Sequence, residues 1–159
     1  MLTVYTPDHE LRNARTELFG GELVRPFECP ERVQYVLDRL NEVALGEVIG
    51  PDDFSIDPLL RIHDPDFVEF LQYCWTEWQA TGYQGEAIPC VFPARGMQNR
   101  VPNHIEGKMG YYAMALETSI TEGTWSAARA SANVALTAQA GVKQSGDAVF
   151  ALCRPPGHH

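Results

Sequence analysis

The chain has 159 residues, 45% of them hydrophobic, and carries 12 basic against 21 acidic side chains for a net charge of −9. That describes a globular protein long enough to bury one core, and it excludes a low-complexity or disulfide-scaffold chain. The acidic balance argues against a nucleic-acid or anionic-membrane partner. It is compatible with a small cationic ligand and equally with simple solubility.

No stretch approaches the ~18 consecutive apolar residues of a membrane span. The start, Met1 to Asp8, lacks the basic and apolar regions of a signal peptide. Cys29, Cys74, Cys90 and Cys153 share no C-x-x-C spacing and read as free thiols of a reducing compartment. Together these features predict a cytoplasmic protein.

In chain order, Leu2-Thr3-Val4-Tyr5 reads as a first strand, ended by Pro7. Asp8 to Arg25 is polar, holds Gly20-Gly21 and reads as a long loop. Phe19 and Phe27 stand out there, either plugging the core or lining a pocket. Pro30 opens a helix on which Val33, Val36, Leu37, Leu40 and Val43 recur at helical spacing, with Gly46 as the stop. A short second strand follows within 49–57. Asp64 before Pro65 is an N-cap signal for a helix whose stripe is Phe67, Phe70, Leu71, Cys74, Trp75 and Trp78.

Tyr83 to Pro102 shows no period and carries five Gly or Pro residues, an unusually long irregular connection. Its Ile88, Val91, Phe92 and Met97 either form a partner surface or pack back on their own domain. Asn103 is a candidate cap for the next helix, with Glu106 at its third position and Ile105, Met109, Tyr112 and Leu116 as its stripe. Thr124 is the cap expected for a final, alanine-rich helix from Trp125 to about Lys143. Gly146-Asp147 then turns the chain into the strand Ala148 to Leu152. Strands mixed with amphipathic helices predict an α/β fold with a largely parallel sheet.

The last strand runs into Arg154-Pro155-Pro156-Gly157-His158-His159. Two prolines fix φ and remove donors, so the turn is rigid, and two histidines follow at the carboxyl end of a strand. A bare His-His could be two stray surface residues. Held by a rigid turn, the pair suggests proton transfer or metal binding, because imidazole titrates near neutrality. His9 lies on a polar loop, His63 precedes a helix cap, and His104 sits in a first helical turn; none pairs with a second ligand at short spacing.

The segment Phe150 to His159 resembles the tandem-histidine signature of the zinc-dependent histone deacetylase superfamily. Pro30-Glu31-Arg32 and Ile62 to Leu71 agree with that resemblance in order and spacing. Leu11 to Leu23, Gly82 to Ile88 and Ile105 to Tyr112 are similar to the opening loop and long insertion of the bacterial acetylpolyamine amidohydrolases within it. The resemblance implies part of a three-layer arginase/deacetylase-type domain and hydrolysis of the acetamide of a small cationic acetylated amine. It implies zinc as cofactor, with iron or cobalt possible in its place, and a homodimer formed through the insertion at 83–102.

Carried over by residue, His159 is the implied general base and then acid, with His158 giving electrostatic support. Cys153 is expected at the pocket floor near the acetyl methyl. Phe19 and Phe27 are expected to wall the channel, and Glu106 and Glu117 to face the ammonium groups, although capping or a solvated face would also account for the two carboxylates. The family's metal ligands, two aspartates and a histidine, and its carbonyl-polarising tyrosine are expected beyond His159. The chain is therefore expected to be the N-terminal part of one deacetylase domain, with no metal ligand of its own and inactive alone. Two other readings stand beside this one: an acetyl-lysine protein deacetylase, and a truncated non-catalytic interaction module.

Overall fold

The computed structural model describes residues 1–157. Along the chain, β1 (Leu2–Val4) leads to a 3-10 turn (Pro7–Leu11), strands β2 (Glu17–Phe19) and β3 (Glu22–Val24), helix α1 (Glu31–Glu42) and strand β4 (Val48–Ile49). The single turn α2 (Asp57–Leu60), helices α3 (Pro65–Ala80), α4 (Ile105–Tyr112) and α5 (Thr124–Ser145), and strand β5 (Val149–Ala151) follow. The residues gather into two compact units, one from 1–13, 28–59 and 123 onward, the other from 14–27 and 60–122.

In the first unit β1 is the middle strand of a parallel sheet of order β4-β1-β5. Thr3 faces Val48 on one side and Phe150 on the other, and Val4 faces Ile49 and Ala151. Parallel neighbours require long crossovers, and helices occupy the intervening sequence. Val4 is fully buried against Val134 and Ala138 of α5, with Ile49, Val149, Ala151 and Cys153 packed around them. Small side chains on α5 let its backbone come close: Ala127 is fully buried, and Ala130 and Ala138 nearly so. The helix stops at Gly146, whose φ of +76° suits a residue without Cβ and whose N–H reaches the Val142 carbonyl at 2.9 Å. The segment after β4 is tied to polar positions of the same helix. The Asp52 N–H donates to Thr137 Oγ1 at 2.9 Å, Asn133 Nδ2 donates to Asp53 Oδ1 at 3.0 Å, and Arg129 donates to the Phe54 carbonyl.

In the second unit Phe70, Cys74 and Trp78 of α3 bury against Ile105 and Met109 of α4 and against Ala87. Asp64 caps α3 by accepting the Asp66 N–H at 2.9 Å, as its position before Pro65 predicts. Phe70 stacks on Tyr112 with centroids 4.7 Å apart, and Trp78 Nε1 donates to the Gly85 carbonyl at 2.8 Å. Burial pushes the Cys74 thiol up to about 12, Glu77 adding to the effect and Lys108 opposing it, so this cysteine is an inert core residue.

The α/β expectation and the helices at 31–42 and 65–80 hold. Several local expectations do not. The stretch 8–25 is not one loop. Thr6 accepts the Asp8 N–H at 3.3 Å and starts the 3-10 turn, and Gly20-Gly21, both at positive φ, close the antiparallel hairpin β2–β3. Gly-Gly is a hairpin turn signal; the strands on either side are only three residues long, which hides it in the sequence. Pro30 is the cap of α1 and not its first helical residue, and α5 starts on Thr124 itself with Gly123 as its cap. His104 replaces Asn103 as the cap of α4, because its Nδ1 accepts the Glu106 N–H at 3.4 Å. Glu106 is thus the second helical residue. Leu116 lies outside the helix, which ends where Ala113 becomes extended.

The two readings of the 83–102 segment divide within it. Ala87 and Pro89 are buried, and Ala87 pairs with Ile120 in an isolated antiparallel bridge. Val91, Phe92 and Met97 are exposed.

Candidate functional site

The turn after β5 grows out of the sheet. The Leu152 N–H continues the pairing to the Val4 carbonyl at 3.0 Å, and Ser131 of α5 donates its hydroxyl to the Pro155 carbonyl at 3.0 Å. The Arg154–Pro155 peptide bond is cis. Cys153 sits half-buried with its Sγ 3.5 Å from the Ser131 carbonyl, and burial raises its thiol pKa. It is therefore a neutral, compact, weakly polar surface. It lines an open recess of about 260 Å³ with Val33, Leu152, Arg154 and Pro156.

Arg154 is only 3% exposed, and a buried guanidinium needs partners. Its Nε donates to Glu28 Oε1 at 2.9 Å, and its Nη1 donates to the His9 carbonyl and lies 3.5 Å from His9 Nδ1. His9 is itself 4% exposed, with its Nε2 3.5 Å from the Tyr5 hydroxyl. Burial first, and the Arg154 charge second, lower the imidazole pKa against the pull of Glu10 and Glu28. The turn is thus anchored by a buried polar chain from Tyr5 through His9 and Arg154 to Glu28. Sequence reading placed His9 on an ordinary polar loop. Its partner is 145 residues away, and no local pattern marks such a contact.

In the other unit Phe19 stands at the end of β2, with its ring edge-to-face with Phe27 at a centroid distance of 5.5 Å. The two rings are 58% and 67% exposed, so core plugging is excluded for both. Glu17 Oε2 accepts the Phe27 N–H at 3.2 Å and holds the second ring beside the hairpin. Glu106 on α4 accepts the Tyr83 hydroxyl at 2.9 Å, and its carboxylate lies 3.6 Å from His104 Nδ1. Its hydrogen bond and charge, followed by burial and Cys90, raise the Tyr83 pKa. Glu117 is exposed on the bend after α4. Phe19 and Phe27 form a solvent-facing aromatic pair, Glu117 is exposed and Glu106 partly so; rings and carboxylates of this kind can each receive an organic ammonium.

Sequence reasoning also missed Glu86. Its carboxylate gathers four hydrogen bonds from Arg15, Thr16 and Ser119. The signal is again long-range, spanning 71 residues to Arg15.

His158 and His159, the expected catalytic pair, lie outside the described residues. Among the described residues, no group of three or more His, Cys, Asp or Glu side chains could hold a metal ion. These residues alone do not fit a zinc centre, which takes about three protein ligands and an open position. Among them, too, no helix is long and apolar enough to cross a membrane.

Residues 26–159 match the family model described as the histone deacetylase domain. Over its whole length the chain is 46% identical to acetylpolyamine amidohydrolase 2 of Pseudomonas aeruginosa and 44% identical to the acetylpolyamine amidohydrolase of Mycoplana ramosa. It covers 46% and 47% of those proteins, so the chain spans about half the length of the curated relatives it matches. The crystal structure of an acetylpolyamine aminohydrolase from Burkholderia pseudomallei superposes on all of this chain with a TM-score of 0.89 at 34% identity, covering 46% of that structure. At that similarity the parallel sheet and its helices are those of the arginase/deacetylase fold. By sequence and by fold, the chain belongs to the histone deacetylase family.

Proposed function

We propose that the chain is the N-terminal part of a metal-dependent deacetylase that hydrolyses small acetylated amines, acetylpolyamines first among them. One observation carries this reading: the identity of 44–46%, over all of this chain and about half of each relative, to proteins named acetylpolyamine amidohydrolases. The net charge of −9 agrees with a polycationic substrate.

In this reading His159 takes a proton from the attacking water and returns it to the leaving amine, and His158 supports it electrostatically. Matched to the working pH, such a base contributes about 10²–10⁴-fold. Cys153 supplies the floor for the acetyl methyl. Phe19 and Phe27 wall the channel and offer ring faces to an ammonium, worth about 0.5–1 kcal/mol at an exposed site. Glu106 and Glu117 add carboxylates. These are screened by solvent, so each contributes at most ~1 kcal/mol and acts mainly on selectivity.

Zinc belongs to the proposal by resemblance, with iron or cobalt as alternatives and with its ligands beyond His159. The described residues do not form its site. The exposed Val91, Phe92 and Met97 of the insertion are proposed to form a homodimer contact, and the protein is proposed to act in the cytoplasm without a nucleic-acid or membrane partner.

The test is acetate release from N-acetylputrescine by the complete protein, with its metal content measured. Turnover at near one metal per chain supports the reading. A metal-free, inactive complete protein would make it an interaction module.

A further inference from the structure

The hairpin β2–β3 has three residues in each strand, and its aromatic pair is mostly in solvent. An isolated two-stranded hairpin is at best marginally stable in water. Burial cannot hold Phe19 and Phe27 in one place, so something else must.

Glu86 sits at the base of this hairpin. Its Oε1 accepts the Arg15 N–H at 2.6 Å, and its Oε2 accepts the Thr16 N–H at 3.2 Å, the Thr16 hydroxyl at 2.8 Å and the Ser119 hydroxyl at 3.3 Å. Both carboxylate oxygens are engaged, Oε1 by one donor and Oε2 by three. Thr16 immediately precedes β2. From there the ladder Glu17–Val24, Leu18–Leu23 and Phe19–Glu22 fixes the first ring, and the Glu17 carboxylate fixes the second through the Phe27 N–H. The anchor is rigid on its other side. Ala87, next to Glu86, exchanges backbone bonds of 3.0 and 2.8 Å with Ile120, next to Ser119, and both Ala87 and Ser119 are fully buried or nearly so. Ser119 also stands two residues after Glu117, so the same carboxylate restrains the segment carrying that residue. Burial disfavours the Glu86 charge, but the hydrogen bonds from Arg15, Thr16 and Ser119 outweigh it and hold the carboxyl below its ordinary value of 4.5. The clamp is therefore ionised at neutral pH.

We propose that Glu86 is a positioning residue: its carboxylate clamps Arg15 and Thr16 to Ser119 and so holds the Phe19–Phe27 pair where an acetylated amine docks. This rests on the reading that the pair walls the substrate channel. Glu86 touches no reacting atom, so its loss acts on binding more than on turnover.

The experiment compares wild type, Glu86→Gln and Glu86→Ala in the complete, metal-loaded enzyme, by hydrogen exchange over residues 14–27 and by kinetics on N-acetylputrescine. Both variants are expected to exchange about tenfold faster in that segment. KM is expected to rise about tenfold, with kcat within about threefold. Phe27→Ala is expected to raise KM in wild type and to add little in Glu86→Ala, since the ring is already displaced there. If Glu86→Ala does not fold, the pair Thr16→Val and Ser119→Ala removes two donors and keeps the charge, and an intermediate KM is expected. Unchanged exchange overturns the clamp. Faster exchange with an unchanged KM, or fully additive effects of Phe27→Ala, overturns its role in binding. Failure of the functional reading shows first in wild type, as no turnover of any acetylated amine. It removes the binding role, while exchange still reports whether the clamp exists.

Discussion

Arg154 reaches back across almost the whole chain to donate from Nε to the Glu28 carboxylate at 2.9 Å, and it is the more deeply buried of the two partners. Glu28 keeps about a third of its side chain in solvent and also lies 3.8 Å from Arg32. Removing Glu28 strands a guanidinium that is out of solvent, whereas removing Arg154 leaves a carboxylate that is still partly solvated and beside Arg32. Glu28→Ala is expected to cost about 2–4 kcal/mol, below the most buried cases because Glu28 is partly solvated. Arg154→Met is expected to cost less. Urea denaturation of the complete protein measures both, and a larger loss for Arg154→Met would contradict this account of the turn.

His9 ties the same network to pH. Its folded pKa lies below the ordinary 6.5, so the folded state binds fewer protons than the unfolded chain near that value. Stability is highest above the unfolded value, falls as pH drops through it towards the lowered folded value, and levels off below. His9→Gln is expected to flatten this slope between about pH 8 and about pH 5. Urea midpoints across that range are the check, and an identical slope in the variant would show that other groups carry it.

The elements legible in the sequence are those whose signals are local and periodic. The stripe from Phe67 to Trp78 behind Asp64-Pro65, the alanines of α5 and the apolar run into Arg154 each declare themselves within a few turns of chain. The hairpin is hard to read because each strand has only three residues and opens on a glutamate, too short a run on either side of Gly20-Gly21 to mark a strand. At the site, Phe19 and Phe27 stand out as aromatics on a polar stretch, while their channel role and those of Glu106, Glu117 and Cys153 come from resemblance and not from pattern. His9 and Glu86 have partners 145 and 71 residues away, and only folding brings such pairs together.

Gly110 tests how the insertion is seated. A Cβ there would lie 1.4 Å from the Val91 carbonyl oxygen, a backbone atom that cannot turn aside. Gly110→Ala is expected to push the insertion off α4 and cost about 2–4 kcal/mol. Gly85→Ala, with open space around its Cβ, is the matched control and is expected to cost far less. Thermal melts of the two variants decide it. If the insertion forms the proposed dimer contact, Gly110→Ala also shifts the protein towards monomer by sedimentation.

Glu106 offers an electrostatic test. Its carboxylate is partly exposed and accepts the Tyr83 hydroxyl, so it stays accessible to an ammonium. Glu106→Gln is expected to raise KM for N-acetylputrescine by about threefold at low salt, and the difference is expected to shrink towards unity near 1 M salt, where the Debye length is about 3 Å. A salt-independent rise would assign Glu106 to its contacts with Tyr83 and His104 and not to substrate.

The proposed proton transfer rests on His159. In the complete enzyme His159→Ala is expected to lower kcat by at least about 10²-fold with metal retained. Near-normal turnover at full metal occupancy would remove His159 from the chemistry.

The central claim is the substrate class, and one comparison addresses it most directly: kcat/KM of the complete, metal-loaded enzyme on N-acetylputrescine and on an acetyl-lysine peptide, under the same conditions. The account expects the small diamine to be preferred by at least about 10²-fold, on the scale that a few kcal/mol of differential transition-state binding provides. Equal rates, or a preference for the peptide, would contradict it and identify the protein as an acetyl-lysine deacetylase.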